Sequence, residues 1–158
     1  MSKVKVGTPA PEFELRNQNG HMVRLSDFLT KKNIVLYFYP KDETAGCTKE
    51  ACGFRDSYED FITAGAEVIG VSADSVDSHK LFALNRRLPF LLLSDPDNHV
   101  RKLYGVSGSL FGMIPGRETF VIDKKGIIRH HFSSQFQIDN HISESLEILK
   151  GLEEVWVE

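Results

Sequence analysis

Asn33-Ile34-Val35-Leu36-Tyr37-Phe38-Tyr39-Pro40 runs directly into Lys41-Asp42-Glu43-Thr44-Ala45-Gly46-Cys47-Thr48-Lys49-Glu50-Ala51-Cys52. After Asn33 the first segment shows no polar alternation. A strand that is apolar on both faces is covered on both sides, which places it at the centre of an α/β sheet. Pro40 stops it, because proline has no N–H to give to a ladder. Beyond the polar loop, Ala51, Phe54, Tyr58, Phe61 and Ile62 recur at helical spacing and predict a helix from about Cys47 to Thr63. A cysteine therefore opens a helix at the carboxyl end of a central strand, where open α/β sheets place their sites.

The same pattern repeats downstream. Glu67 to Asp74 and Leu91 to Asp95 read as further buried strands, each followed by a helix, Ser75 to Asn85 and Asn98 to Tyr104. Glu118 to Asp123 and Ile127 to Phe132 form a hairpin across Lys124-Lys125-Gly126. A last helix runs from about Asn140 to Gly151 with Ile142, Leu146 and Leu149 as its buried stripe. Upstream, Phe13 and Leu15 alternate with polar residues, and Asn17-Gln18-Asn19-Gly20 signals a hairpin turn before Met22 to Leu25. Ser26 then offers the N-cap of a short helix through Leu29. Strands alternating with helices predict a three-layer α/β/α fold, with a mixed central sheet and an N-terminal β-hairpin.

The chain has 158 residues, 41% hydrophobic and 26% charged, so one domain spanning 1–158 is expected. There are 19 Lys and Arg against 22 Asp and Glu, a net charge of −3. No basic excess is present to recruit nucleic acid or an anionic membrane. Neither a membrane-length apolar run nor a signal-peptide core occurs. The expected setting is a bacterial cytoplasm, or an organelle after removal of a transit peptide.

Only two cysteines occur, Cys47 and Cys52. Thr44 is positioned as an N-cap, putting Cys47 in the first helical turn. There, unpaired N–H groups and the helix dipole favour thiolate over thiol. The bland alternative is a small buried residue at a helix start. Five helical residues separate two Cα atoms by roughly 8–9 Å, beyond the about 7 Å that a disulfide tolerates. The pair can therefore bridge only if the helix unwinds. A Cys-x-x-Cys motif, which would suit a disulfide reductase, is absent. His21 and His79 show no zinc-ligand spacing with the cysteines.

Pro40-x-x-x-Thr44-x-x-Cys47 matches the Pro-x-x-x-Thr/Ser-x-x-Cys signature of the peroxiredoxins. Cys47-Thr48-Lys49-Glu50-Ala51-Cys52 resembles the Q-type subgroup, also called bacterioferritin comigratory protein. The resemblance extends from Gly7-Thr8-Pro9-Ala10-Pro11-Glu12-Phe13 through Gly116-Arg117-Glu118-Thr119-Phe120-Val121-Ile122-Asp123 to Gln135-Phe136. It implies a thioredoxin-like fold and a thiol peroxidase acting on hydrogen peroxide and organic hydroperoxides. Cys47 would attack the peroxide and become a sulfenic acid, and Cys52 would condense with it to an intramolecular disulfide. A thioredoxin-like reductant would restore the thiols by exchange. The family implies no metal and no bound organic cofactor. Because the resolving cysteine is near in the same chain, a monomer is expected.

Within this resemblance, Arg117 matches the active-site arginine, whose fork would stabilise the thiolate and align the peroxide oxygens. Without the match it reads as an ordinary surface arginine. The Thr44 hydroxyl would accept the peroxide's proton or bond its oxygens, and Pro40 would shape and shield the pocket. Glu50 reads as a surface carboxylate favoured by the helix dipole, with orientation of Arg117 as the alternative. His130 and His131 point to opposite faces of a strand and form no common site. Asp95-Pro96-Asp97-Asn98 reads as a turn with a helix cap. Phe111, Met113, Ile114 and Pro115 form an apolar loop beside Arg117, suited to a lipid-hydroperoxide pocket, a subunit contact or plain packing.

The rival readings are a thioredoxin-like disulfide oxidoreductase using the same cysteines, and a redox sensor or chaperone signalling through helix unwinding.

Overall fold

The computed structural model describes residues 4–106 and 116–156. The apolar loop of Phe111, Met113, Ile114 and Pro115 lies outside the described residues.

Seven strands form one sheet in the order β2-β1-β5-β4-β3-β6-β7. β3 (Asn33–Phe38) is buried at every position and pairs in parallel with β4 (Ala66–Ser72), which pairs in parallel with β5 (Leu91–Ser94). On its other side β3 is antiparallel to β6 (Glu118–Ile122), and β6 to β7 (Ile128–Ser133). The hairpin of β1 (Glu14–Asn17) and β2 (Met22–Arg24) joins antiparallel to β5. The mixed sheet and the N-terminal hairpin are thus as the sequence predicts.

Alternation along β3 divides the core. Val35, Tyr37 and Tyr39 face one layer of helices: α1 (Ala45–Asp56), α2 (Tyr58–Thr63), α3 (Val76–Arg86) and α5 (Ile138–Trp156). Ile34, Leu36 and Phe38 face the other layer, which is thinner: α4 (His99–Leu103) with Phe13 and Leu25. These side chains are withdrawn from water, the tyrosine hydroxyls included, at roughly 25 cal/mol for each Å² of apolar surface.

Three local expectations are corrected. The helix expected from Cys47 to Thr63 breaks at Ser57, whose φ of −103° and ψ of 8° leave the helical region. Serine competes for backbone hydrogen bonds and is a weak helix-interior residue. Ser26 does not cap a helix. It lies inside a 3₁₀ turn over Leu25–Asp27, where the Asp27 carboxylate accepts from Arg24 N at 2.9 Å. The last helix is longer than expected at both ends: it starts at Ile138, which adds a buried residue to the stripe, and runs on to Trp156.

Asp95 acts as the expected cap: its carboxylate accepts from the backbone N–H of Val100 and of Arg101, each at 2.9 Å. His131 pairs with Glu118 and His130 with Glu144, on opposite faces of β7. Among the described residues, no helix is long and apolar enough to cross a membrane.

Candidate active site

β3 ends at Phe38, and the loop from Tyr39 to Thr44 turns the chain into α1. Thr44 occupies the N-cap position with extended backbone, φ −80° and ψ 156°, so Cys47 stands in the first turn as the sequence predicts. The cap is positional only. The Thr44 hydroxyl donates to Lys41 O at 2.8 Å, and its oxygen accepts from no N–H of the helix. Its proton being used there, the oxygen is left to accept.

The loop is fastened to α3. Asp42 is 5% exposed, accepts from the Tyr39 hydroxyl at 2.6 Å and from the Ser78 hydroxyl at 2.9 Å, and faces His79 Nδ1 at 2.7 Å. Its own N–H donates to Asp74 Oδ2 at 2.8 Å. Glu43 takes a left-handed conformation, φ 61°, which costs a non-glycine residue about 1 kcal/mol or more. Its carboxylate is held by Asn85 Nδ2 at 2.9 Å and Arg86 Nη2 at 3.0 Å.

Asp42, Asp74 and His79 lie close enough to hold a metal ion. Their chemistry does not fit one: Asp42 Oδ2 is shared by Ser78 and His79, Asp74 Oδ2 accepts from Ser72 and the Asp42 N–H, and both ring nitrogens of His79 are engaged. The cluster is a structural clasp.

Cys47 is 1% exposed and sits against Arg117, which enters from the start of β6. Arg117 is 5% exposed, so it is no surface arginine. Its Nη2 donates to Cys47 Sγ at 3.5 Å, Nη1 to Glu50 Oε1 at 2.6 Å and Nε to Gln135 O at 3.4 Å. Gly46 permits this approach: a Cβ there would stand 3.0 Å from Arg117 Nη2 and 3.3 Å from Ile138 Cδ1.

The reading of Glu50 as a surface carboxylate is overturned. Glu50 is fully buried, and burial raises its pKa to about 7 although Arg117 works in the opposite direction. Burial pulls Arg117 down, but Glu50 and Cys47 more than offset it, and the guanidinium stays charged.

The pattern that betrays Glu50 is in the sequence. Cys47, Glu50, Ala51 and Phe54 are the buried positions of α1, at i, i+3, i+4 and i+7, so Glu50 shares the inward face with the thiol.

His141 was not singled out from the sequence. It is fully buried on α5, Nε2 2.7 Å from Ser134 O and Nδ1 2.7 Å from Thr119 Oγ1, and Nδ1 is 3.7 Å from Glu50 Oε2. Burial lowers its pKa to about 4, so it is neutral and accepts the Thr119 hydroxyl. The available signal was a polar residue interrupting the Ile138, Ile142, Leu149 stripe.

Cys52 lies on the same unbroken helix, half-buried, and both cysteines are free thiols. Pro40 is half-buried at the head of the loop. The structure thus joins Cys47 to Arg117 and adds Glu50. Pro40 and Thr44 stand on the adjoining loop, and Cys52 stays apart.

Residues 6–131 match the model of the AhpC/TSA family. The chain belongs to this family of peroxiredoxins. It is 55% identical over 150 residues to peroxiredoxin Q, chloroplastic, of Triticum aestivum, covering 95% of this chain and 69% of the relative. Peroxidoxin BcpB from Mycobacterium tuberculosis superposes with a TM-score of 0.86 at 39% identity, covering 94% of this chain and 97% of that one. The bacterioferritin comigratory protein of Xanthomonas campestris, described with its alkyl peroxide reduction activity, gives a TM-score of 0.81 at 29% identity, covering 89% and 92%. The fold is therefore the thioredoxin-like fold of peroxiredoxins, and the chain is a thiol-dependent peroxidase.

Proposed function

We propose that Cys47 is the peroxidatic thiol and Cys52 the resolving one, within a single domain spanning residues 1–158. The observation that carries this reading is the 3.5 Å contact of Arg117 Nη2 with Cys47 Sγ at the first turn of α1. A fixed guanidinium there favours the thiolate and presents N–H groups to the peroxide oxygens. The thiolate attacks one oxygen and takes it as a sulfenic acid. The O–O bond breaks, the attacked oxygen keeps its proton in the sulfenic acid, and the departing hydroxide or alkoxide takes one proton from solvent to leave as water or alcohol. Donors aimed at the departing oxygen stabilise the charge that develops on it. The Thr44 oxygen, left free to accept, receives a hydrogen bond from the incoming hydroperoxide. Pro40 shapes the entrance without reacting.

Resolution requires movement. On an intact helix the Cα atoms of residues five apart are about 8–9 Å from each other, so α1 unwinds locally for Cys52 to displace water from the sulfenic acid. A thioredoxin-like dithiol then reduces the disulfide, becoming oxidised itself. One chain supplies both cysteines, and we propose a monomer. Hydrogen peroxide and organic hydroperoxides are the proposed substrates, the latter supported by the alkyl peroxide reduction described for the Xanthomonas relative. For the compartment, the chloroplast designation of the wheat relative supports the organelle alternative.

The test is Cys47→Ser. A serine hydroxyl supplies almost no oxyanion near neutral pH, so peroxide consumption should vanish, and retained turnover would overturn the assignment.

A further inference from the structure

Arg101 lies on α4, across the sheet from α1, and the reaction scheme above does not use it. It is nonetheless buried, 5% exposed. Its Nη1 donates to the carbonyl of Gly116 at 2.7 Å and its Nη2 to the carbonyl of Tyr39 at 2.8 Å. These carbonyls belong to the peptide bonds that lead into Arg117 and into Pro40. One precedes the arginine at the thiol, and the other precedes the loop that carries the thiol.

The topology explains why a bridge is needed there. β3 and β6 are antiparallel neighbours, and their last pair at this end is Phe38 with Glu118. Beyond it the strands part: Tyr39 turns toward the Cys47 helix, while Gly116 and Arg117 arrive from the opposite direction. Tyr39 N is already spent on Val71 O at 3.1 Å. The planar fork of Arg101 spans the gap where ladder hydrogen bonds stop.

The fork is itself fixed. Asp95 holds the start of α4 through the Val100 and Arg101 N–H groups, and the Arg101 Cζ lies 5.8 Å from the centroid of the Phe38 ring. Burial lowers the Arg101 pKa, while the charges of Asp95, Glu118 and Cys47 act to raise it. The hydrogen bonds of its terminal nitrogens go to neutral carbonyls, which two uncharged donors would satisfy without burying a cation.

We propose that Arg101 is a positioning residue for the peroxidase reaction, tying the Tyr39–Pro40 peptide to the Gly116–Arg117 peptide so that Cys47 and Arg117 stay in register, and adding a second buried positive charge whose field reaches the sulfur. It touches no reacting atom. The inference rests on Cys47 being the thiol that meets peroxide.

Arg101→Leu and Arg101→Lys test it, each checked for folding by circular dichroism. The rate of hydrogen peroxide oxidation is read by stopped flow on the reduced protein. The thiolate absorbance of Cys47 is titrated in a Cys52→Ser background. Arg101→Leu should lose at least about tenfold in rate, since small misplacements of reacting groups are costly, and its thiolate titration should move to higher pH. Arg101→Lys restores the charge but cannot span both carbonyls, so the titration should return toward wild type while the rate stays at least about threefold low.

A folded Arg101→Leu protein within about twofold of the wild-type rate, with an unmoved titration, would overturn the proposal. If that variant does not fold, a wild-type rate in Arg101→Lys does the same. A role in stability alone would lower the melting temperature and leave rate and titration of the folded variants unchanged, and this too counts against the proposal. A wild-type protein that reacts no faster than free cysteine would refute the role of Cys47. A fast wild type with unaffected variants refutes only that of Arg101.

Discussion

Replacing Glu50 with glutamine removes an ionisation that competes with Cys47 for Arg117 in the geometry described above. Glu50 is fully buried with Oε1 2.6 Å from Arg117 Nη1, and burial lifts its pKa from 4.5 to about 7 against the pull of Arg117. Between these values the folded protein holds a proton that the unfolded chain has lost. Stability from this carboxyl is therefore fully present below pH 4.5 and is lost as pH rises through about 7. At roughly 1.4 kcal/mol for each tenfold change in proton affinity, the loss is on the order of 3 kcal/mol.

Glutamine keeps the shape and an acceptor for Arg117 but cannot ionise, so it mimics protonated Glu50. Near pH 4.5 the two proteins should unfold within about 1 kcal/mol of each other. By about pH 8, Glu50→Gln should be the more stable by up to about 3 kcal/mol.

His141 works in the other direction. Its pKa is lowered from 6.5 to about 4 by burial, so its contribution is full above 6.5 and falls as pH drops toward 4. The opposed slopes flatten the wild-type profile where they overlap, and the variant should show a profile that rises with pH. Urea unfolding of the reduced proteins, followed by circular dichroism across this range, reads it directly. A variant several kcal/mol less stable than wild type at about pH 8 would refute the reasoning, because attraction to Arg117 would then outweigh the cost of burying the carboxylate.

Other perturbations address the geometry at the sulfur. Arg117→Lys replaces a fork that reaches Glu50 and Cys47 together by one ammonium, and stopped-flow oxidation should slow by about tenfold to a hundredfold. Gly46→Ala places a Cβ 3.0 Å from Arg117 Nη2. Peroxide reactivity should fall while the melting temperature changes by only a few degrees, within about 1 kcal/mol of stability. Cys52→Ser should still undergo one oxidation per molecule yet lose thioredoxin-linked turnover and over-oxidise more readily, read by intact mass. Full turnover in that variant would mean that another group resolves the sulfenic acid.

Much of this was legible in the chain because it is local. β3 shows itself as the apolar run that follows Asn33, all six strand positions being buried, and the Cys47 helix by its spacing and by Thr44 at its cap position. The inward face of α1 was equally readable, yet a charged residue there looks like a surface one until its partner is known. That partner is 67 residues away. A single sequence contains no signal for such a pairing, nor for His141 of α5 meeting Glu50 of α1.

The same limit applies to Arg101, whose partners are carbonyls at Tyr39 and Gly116 and thus carry no side-chain signature at all. The break at Ser57 and the turning of the Thr44 hydroxyl to Lys41 O are choices among nearly equal local conformations, decided by packing and not by pattern.

The roles of Cys47 and Cys52 are tested most directly by stopped-flow oxidation of the fully reduced protein with hydrogen peroxide, with intact mass taken before and after. Rapid loss of two thiols, with a mass lower by two hydrogens and no oxygen gained, is the predicted result. Oxidation no faster than that of an ordinary exposed thiol would contradict it.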